Sequence, residues 1–64
     1  MKALVLAGSC SQVVLLNKLR ERGIYTILAD NNPNAIAIPY ADQFVKINIL
    51  DDEAVKQVAI SEKV

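Results

Sequence analysis

An unbroken apolar run, Ala3-Leu4-Val5-Leu6-Ala7, opens the pattern of this chain. Apolar residues without alternation predict a parallel strand covered on both faces. Four small residues, Gly8-Ser9-Cys10-Ser11, interrupt the run. Beyond them the spacing becomes helical. Val13, Leu16 and Leu19, widened by Val14 and Leu15, form one stripe of a helix from about Ser11 to Arg22. A hydroxyl of Ser9 or Ser11 suits its first turn, where backbone N–H groups lack acceptors. Lys18, Arg20 and Arg22 suit the negative end of its dipole, and Gly23 supplies the left-handed residue that ends it.

Ile24 to Ala29 is rich in β-branched and aromatic residues and predicts a second strand. The strand–helix–strand connection is expected to be right-handed. Asp30 to Pro33 is turn chemistry. Ala35 to Tyr40 reads as irregular or as one short helical turn stopped by Pro39. From Phe44 to Ile49 apolar and polar residues alternate, with Lys46 and Asn48 on one side, which predicts an outer, half-exposed strand. Asp51, Asp52 and Glu53 favour a helix N-terminus. Val55, Val58 and Ala59 form the inward stripe of that helix, which runs to about residue 63.

The order β-α-β-β-α defines an α/β fold: a three-layer, Rossmann-like half-sheet with parallel strands in the order 3-2-1 and the fourth strand missing. The strand at residues 4–7 is then left with a bare edge, and such edges pair with another chain. The expectation is one incomplete domain, residues 1–64, that is at least a dimer through that strand or its flanking helix faces, or that joins the remainder of a longer protein.

Composition narrows the options. With 64 residues, the chain buries only about 60% of its unfolded surface, and domains this small usually rely on disulfides, a metal or a partner. Cys10 is the only cysteine and there is no histidine, so neither an internal disulfide nor a structural zinc set is available. The 53% apolar content predicts a folded chain. Seven basic and seven acidic residues cancel, leaving no electrostatic footprint for nucleic acid. No apolar run reaches the roughly 20 residues of a membrane span. A lone thiol and the absence of a signal-like segment point to a cytoplasmic setting.

Two positions carry candidate chemistry. A turn of small residues leading into a helix N-terminus lets backbone approach a ligand and presents N–H donors to an anion. A full dinucleotide fingerprint needs three spaced glycines, but only Gly8 is present in this turn, and Ala7, Ser9 and Gln12 stand where glycines would be expected. The bare sequence favours the plainer reading of the same residues, a tight strand-to-helix turn with a serine cap, over a ligand-facing loop. Asp30 lies 22 residues after Gly8, near the spacing at which an acid holds a ribose hydroxyl in a Rossmann fold. Its other reading is a turn with Asn31 and Asn32. Cys10 at a helix start favours a thiolate, but without a histidine base it reads better as a small packing residue. Tyr25 and Tyr40 read as packing aromatics. The consecutive acids at 51–53 do not converge on one ion, so no metal site is assigned.

Taken together, Ala3 to Gly8, Ser9-Cys10-Ser11-Gln12, Gly23-Ile24-Tyr25, Asp30-Asn31-Asn32-Pro33-Asn34-Ala35 and Tyr40-Ala41-Asp42 resemble the N-terminal pre-ATP-grasp domain of ATP-grasp ligases. The similarity is to the carbamoyl-phosphate-synthase-like and phosphoribosylglycinamide-synthetase-like branches and covers nearly the whole chain. It implies a Rossmann-like wall of an active-site cleft in a ligase that activates a carboxylate as an acyl phosphate and passes it to an amine. ATP and magnesium are implied for later domains, with no cofactor and no catalytic residue in this chain. Gly8, Ser9, Cys10 and Ser11 match the loop facing the cleft, and Asp30 with Asn31 match the exit of the second strand. These are the implied contacts to a small-molecule substrate. Other readings of the same half-sheet are a small nucleotide-binding module and a structural chain that completes its sheet by self-association.

Overall fold

The computed structural model describes residues 1–64. Strand β1 (Lys2–Leu6) leads into helix α1 (Cys10–Glu21), followed by β2 (Tyr25–Asp30), a single 3₁₀ turn (Ile38–Tyr40), β3 (Gln43–Lys46) and α2 (Asp52–Ser61). All strand pairings are parallel. β1 meets β2 from Lys2↔Tyr25 to Leu6↔Ala29, and β2 meets β3 from Ile27↔Gln43 to Asp30↔Lys46. The sheet order β1-β2-β3 is the half-sheet expected from the sequence. Its radius of gyration, 10.8 Å, equals the value of about 10.7 Å that size scaling gives a compact domain of this length.

Side chains alternate across the sheet, and the register sorts them. Val5, Leu28 and Phe44 share one face. There they pack with Leu16 of α1 and Ala37, flanked by Val13, Leu19, Ile38 and Ala41. Gln43 follows the opposite face, where its amide donates to Glu62 at the end of α2, 3.1 Å away. The two helices therefore lie on opposite sides of the sheet. Asp51 caps α2 by accepting from the N–H groups of Glu53 and Ala54. Val55, Val58 and Ala59 are half-buried beneath α2, the stripe expected of them, but no residue of that helix is fully buried.

Several expectations need correction. The most buried strand is β2, with Thr26, Ile27, Leu28 and Ala29 all at 0% exposure between an exposed Tyr25 and a half-buried Asp30, whereas β1 buries only Val5. An apolar run fixes what a strand tolerates, but coverage depends on its neighbours, and β1 has one neighbour only. Val14 and Leu15 do not widen the core stripe; they are exposed, because the apolar arc of α1 that meets the sheet is centred on Leu16. β3 stops at Lys46 instead of Ile49. The side chain of Asn48 accepts from the Leu50 N–H and its carbonyl accepts from the Asp51 N–H, turning the chain toward α2. Pro39 lies inside the first turn of its 3₁₀ segment, where a missing N–H costs nothing, and does not stop it. α2 ends at Ser61, ahead of Lys63, which has a φ of 60°. Gly23, with a φ of 74°, ends α1 as expected.

Candidate functional site

The carboxyl ends of β1 and β2 lie side by side, and there the chain turns from β1 into α1. The Ala7 N–H extends the β1–β2 ladder to the Ala29 carbonyl, 2.9 Å away. The backbone of Ala7 then turns left-handed, with a φ of 70°, a conformation that costs a residue bearing a Cβ about 1–2 kcal/mol. Gly8 follows for a different reason. It is buried, and a Cβ built on it would lie 2.7 Å from the Ala35 Cβ and 3.2 Å from Leu28 Cδ2. Glycine is required here by the close approach of the segment after β2.

Hydrogen bonds stitch the two crossover loops together. The Gly8 N–H donates to Asp30 Oδ2 at 2.8 Å, and the Asn32 N–H donates to Asp30 Oδ1 at 3.1 Å. The Gly8 carbonyl accepts from the Ala37 N–H at 3.2 Å. The Gly8 N–H, followed by that of Asn32, holds the Asp30 carboxyl below the usual carboxylate range, against a smaller opposing effect of desolvation. Asp30 thus does both things read from its position: it stands at the crevice, and it makes the turn with Asn32.

The result is an open concavity of about 470 Å³ at the strand ends. Gly8, Ser9, Cys10 and Asp30 line it, together with Asn32, Asn34 and their neighbours on the loop after β2. Ser11 and Asn31 do not line it. The Ser11 hydroxyl instead pairs with that of Ser9 at 3.0 Å. This corrects the expected serine cap: α1 begins at Cys10, Ser9 occupies the cap position, and no side chain bonds the first-turn N–H groups. Those donors are left without a side-chain acceptor at the rim. Cys10 is exposed as the first residue of the helix. Asn32 and Asn34 were legible only as turn formers; the Asn32 side chain accepts from the Asn34 N–H at 2.9 Å, which folds that loop over the concavity.

A second concavity of about 300 Å³ lies at the opposite, amino-terminal end of the strands, beside Arg20, Tyr25 and Asp42. Its acid is already engaged. Asp42 accepts from the Thr26 N–H and hydroxyl, and Arg20 lies 3.6 Å from its other oxygen. The Thr26 N–H, then its hydroxyl, with a smaller contribution from Arg20, keeps the Asp42 carboxyl below its ordinary range. Open parallel sheets take ligands at the carboxyl ends of their strands, so the Gly8 crevice is the candidate site.

No protein-family model matches the chain, and no curated protein matches its sequence. Among solved structures, N5-carboxyaminoimidazole ribonucleotide synthetase from Thermotoga maritima is similar, with a TM-score of 0.82 and 20% sequence identity. The match covers 94% of this chain and 17% of that one, so the chain spans under a fifth of the synthetase's length. No helix is long and apolar enough to cross a membrane. At that level of identity the likeness establishes the architecture: this chain has the Rossmann-like α/β half-sheet found within that synthetase.

Proposed function

We propose that this chain is the N-terminal, substrate-side region of an ATP-grasp-type carboxylate–amine ligase and is not catalytic on its own. The observation that carries the reading is the fold match to a synthetase over 94% of the chain, joined to the motif succession from Gly8 to Asp42. In this reading ATP and magnesium belong to regions outside these 64 residues, the compartment is the cytoplasm, and the chain contributes one wall of the substrate crevice.

Each wall residue has a role consistent with its geometry. Asp30 holds the Gly8 turn in place through the Gly8 N–H. Ser9 and Cys10 at the uncapped start of α1, with Asn32 and Asn34 opposite, supply polar contacts to a small acid or its phosphate. Ser11 supports the Ser9 hydroxyl, and Asn31 lies one residue outside the lining. A nucleotide-binding half-Rossmann module is the less favoured reading, because both Asp30 oxygens already accept backbone N–H groups and the ribose-binding acid would have to share them.

Cys10 provides the test, since it is exposed and lines the crevice. Thiol-labelling rates would be measured alongside calorimetric titration with ATP, AMP, NAD and small phosphorylated carboxylic acids. The proposal expects a phosphorylated acid to slow labelling of Cys10 while the adenosine nucleotides bind negligibly. Micromolar affinity for an adenosine nucleotide would count against it, as would unchanged labelling with every acid.

A further inference from the structure

We propose that Ile36 and the Ala7 methyl group form an apolar wall of the Gly8 crevice, and that its ligand is an acid with a flat apolar body, aromatic or unsaturated, and not a sugar acid. This deepens the ligase reading and rests on it. Ile36 is the one large apolar side chain in the lining, and it is 58% exposed. Scattered exposed apolar residues are ordinary on a protein surface. Ile36 differs in being held in place. Ala35 and Ala37 on either side of it are buried. The Ala35 N–H donates to the Asn32 carbonyl and the Ala37 N–H to the Gly8 carbonyl, each at 3.2 Å. With both neighbours packed inward and bonded, the Ile36 side chain is left on the crevice side.

Ala7 supplies a second, independent observation. It lines the same concavity with a φ of 70°, a conformation that glycine adopts freely and a residue bearing a Cβ does not. The glycine of this turn stands one residue later, at Gly8, where space demands it. The left-handed position itself keeps a methyl group. Backbone strain of this kind is held at ligand-binding positions, where the surroundings enforce it. What the methyl group gains at Ala7 is contact inside the crevice.

The polar side of the lining leaves much of the discrimination to this wall. No lysine or arginine lines the crevice. Its one charged residue, Asp30, already accepts from the Gly8 and Asn32 N–H groups. Ser9, Asn32 and Asn34 hold an acid group by hydrogen bonds from neutral side chains, each of modest net strength. A flat hydrocarbon body laid against Ile36 and Ala7 leaves water favourably. A polyhydroxylated body in the same place loses the hydration of its hydroxyls without gaining partners. In the ligase reading the crevice is kept for the substrate, so the ligand is what covers this wall.

Two probes test this, phosphonoacetate and para-phosphonobenzoate. They carry the same two acid groups, joined by a methylene in one and by a benzene ring in the other. Calorimetry should show the chain binding the ring compound at least about fivefold more tightly, and that compound should slow thiol labelling of Cys10. Ile36→Ser, at an exposed position, should bring the two affinities within about twofold of each other. Ala7→Gly should weaken the ring compound about twofold while the thermal midpoint rises, a split that a purely structural role does not produce. Equal affinity for the two acids in the parent overturns this inference and leaves the ligase reading standing, as does a ring preference that survives in Ile36→Ser. An Ala7→Gly chain that binds the ring compound as the parent does overturns the part assigned to Ala7. If neither acid binds or slows Cys10 labelling, the ligase reading falls together with the inference.

Discussion

Thr26 and Asp42 hold each other by three hydrogen bonds at the foot of the sheet. The Thr26 N–H and hydroxyl donate to Asp42 Oδ2 at 2.8 and 3.0 Å, and the Asp42 N–H returns to the Thr26 hydroxyl at 3.1 Å. The Asp42 carboxylate takes the place of a backbone carbonyl one residue before β3 begins. Thr26 is completely buried, so its hydroxyl has no water to turn to. Thr26→Val keeps the shape, removes two of the three bonds and leaves the Asp42 N–H without a partner. The expected cost is about 1–3 kcal/mol, read as a lower urea midpoint at neutral pH. Thr26→Ser keeps the hydroxyl and should lose much less; equal losses in the two variants would show that the methyl group and not the clasp matters.

Acid should loosen both ends of the sheet together. Asp30 and Asp42 are each held below the ordinary carboxylate range, mainly by the N–H groups of Gly8 and Thr26 respectively. The unfolded chain then takes up protons at these groups before the folded chain does. Their contribution to stability is complete above the unfolded aspartate pKa of about 3.9 and is lost as pH falls through the lower folded values. Urea midpoints measured from neutral pH down into this acid range should therefore fall. In the Asp30→Asn/Asp42→Asn double variant that acid slope should be visibly flatter; an unchanged slope would assign acid sensitivity to other carboxylates.

Gly8 and Ala35 make the sharpest steric prediction. Gly8→Ala puts a methyl group 2.7 Å from the Ala35 Cβ, and overpacking of this kind costs about 1–3 kcal/mol. Ala35→Gly removes the obstructing group. In a double-mutant cycle the pair should show a favourable coupling above the about 0.5 kcal/mol seen for independent sites. Additive losses would mean that Gly8 matters for backbone freedom and not for space.

Ala7 offers the opposite change. Its left-handed backbone, with a φ of 70°, is relieved by Ala7→Gly. The strain released, about 1–2 kcal/mol, exceeds the about 0.4–1 kcal/mol that glycine adds to the freedom of the unfolded chain. A small rise in thermal midpoint is expected, and a fall would show that the Ala7 methyl group packs usefully.

The sequence was most legible where the signals are local. Gly23 and the cations before it marked the end of α1, Asp51 marked the start of α2, and the change from continuous to helical spacing placed β1 and α1 within a residue or so of where they lie. What escaped reading depends on contacts between distant segments. Nothing near Gly8 announces Ala35, and nothing near Thr26 announces Asp42, 16 residues on. The candidate crevice was half legible for the same reason. Gly8, Ser9, Cys10 and Asp30 follow from strand–turn–helix logic. Choosing Asn32 over Asn31 requires knowing how the loop after β2 folds back on the Asp30 carboxylate.

The loose seating of α2 makes this a molecule with a hard side and a soft side. The α1 face owns the sealed cluster of Val5, Leu16, Leu28 and Ala37, while α2 has no residue that is fully enclosed. Segments with few enclosed apolar contacts open at free energies well below that of global unfolding. Whatever approaches this sheet from the α2 side meets a cover that lifts easily, while the crevice wall, built from β1, β2 and the start of α1, keeps its shape behind it.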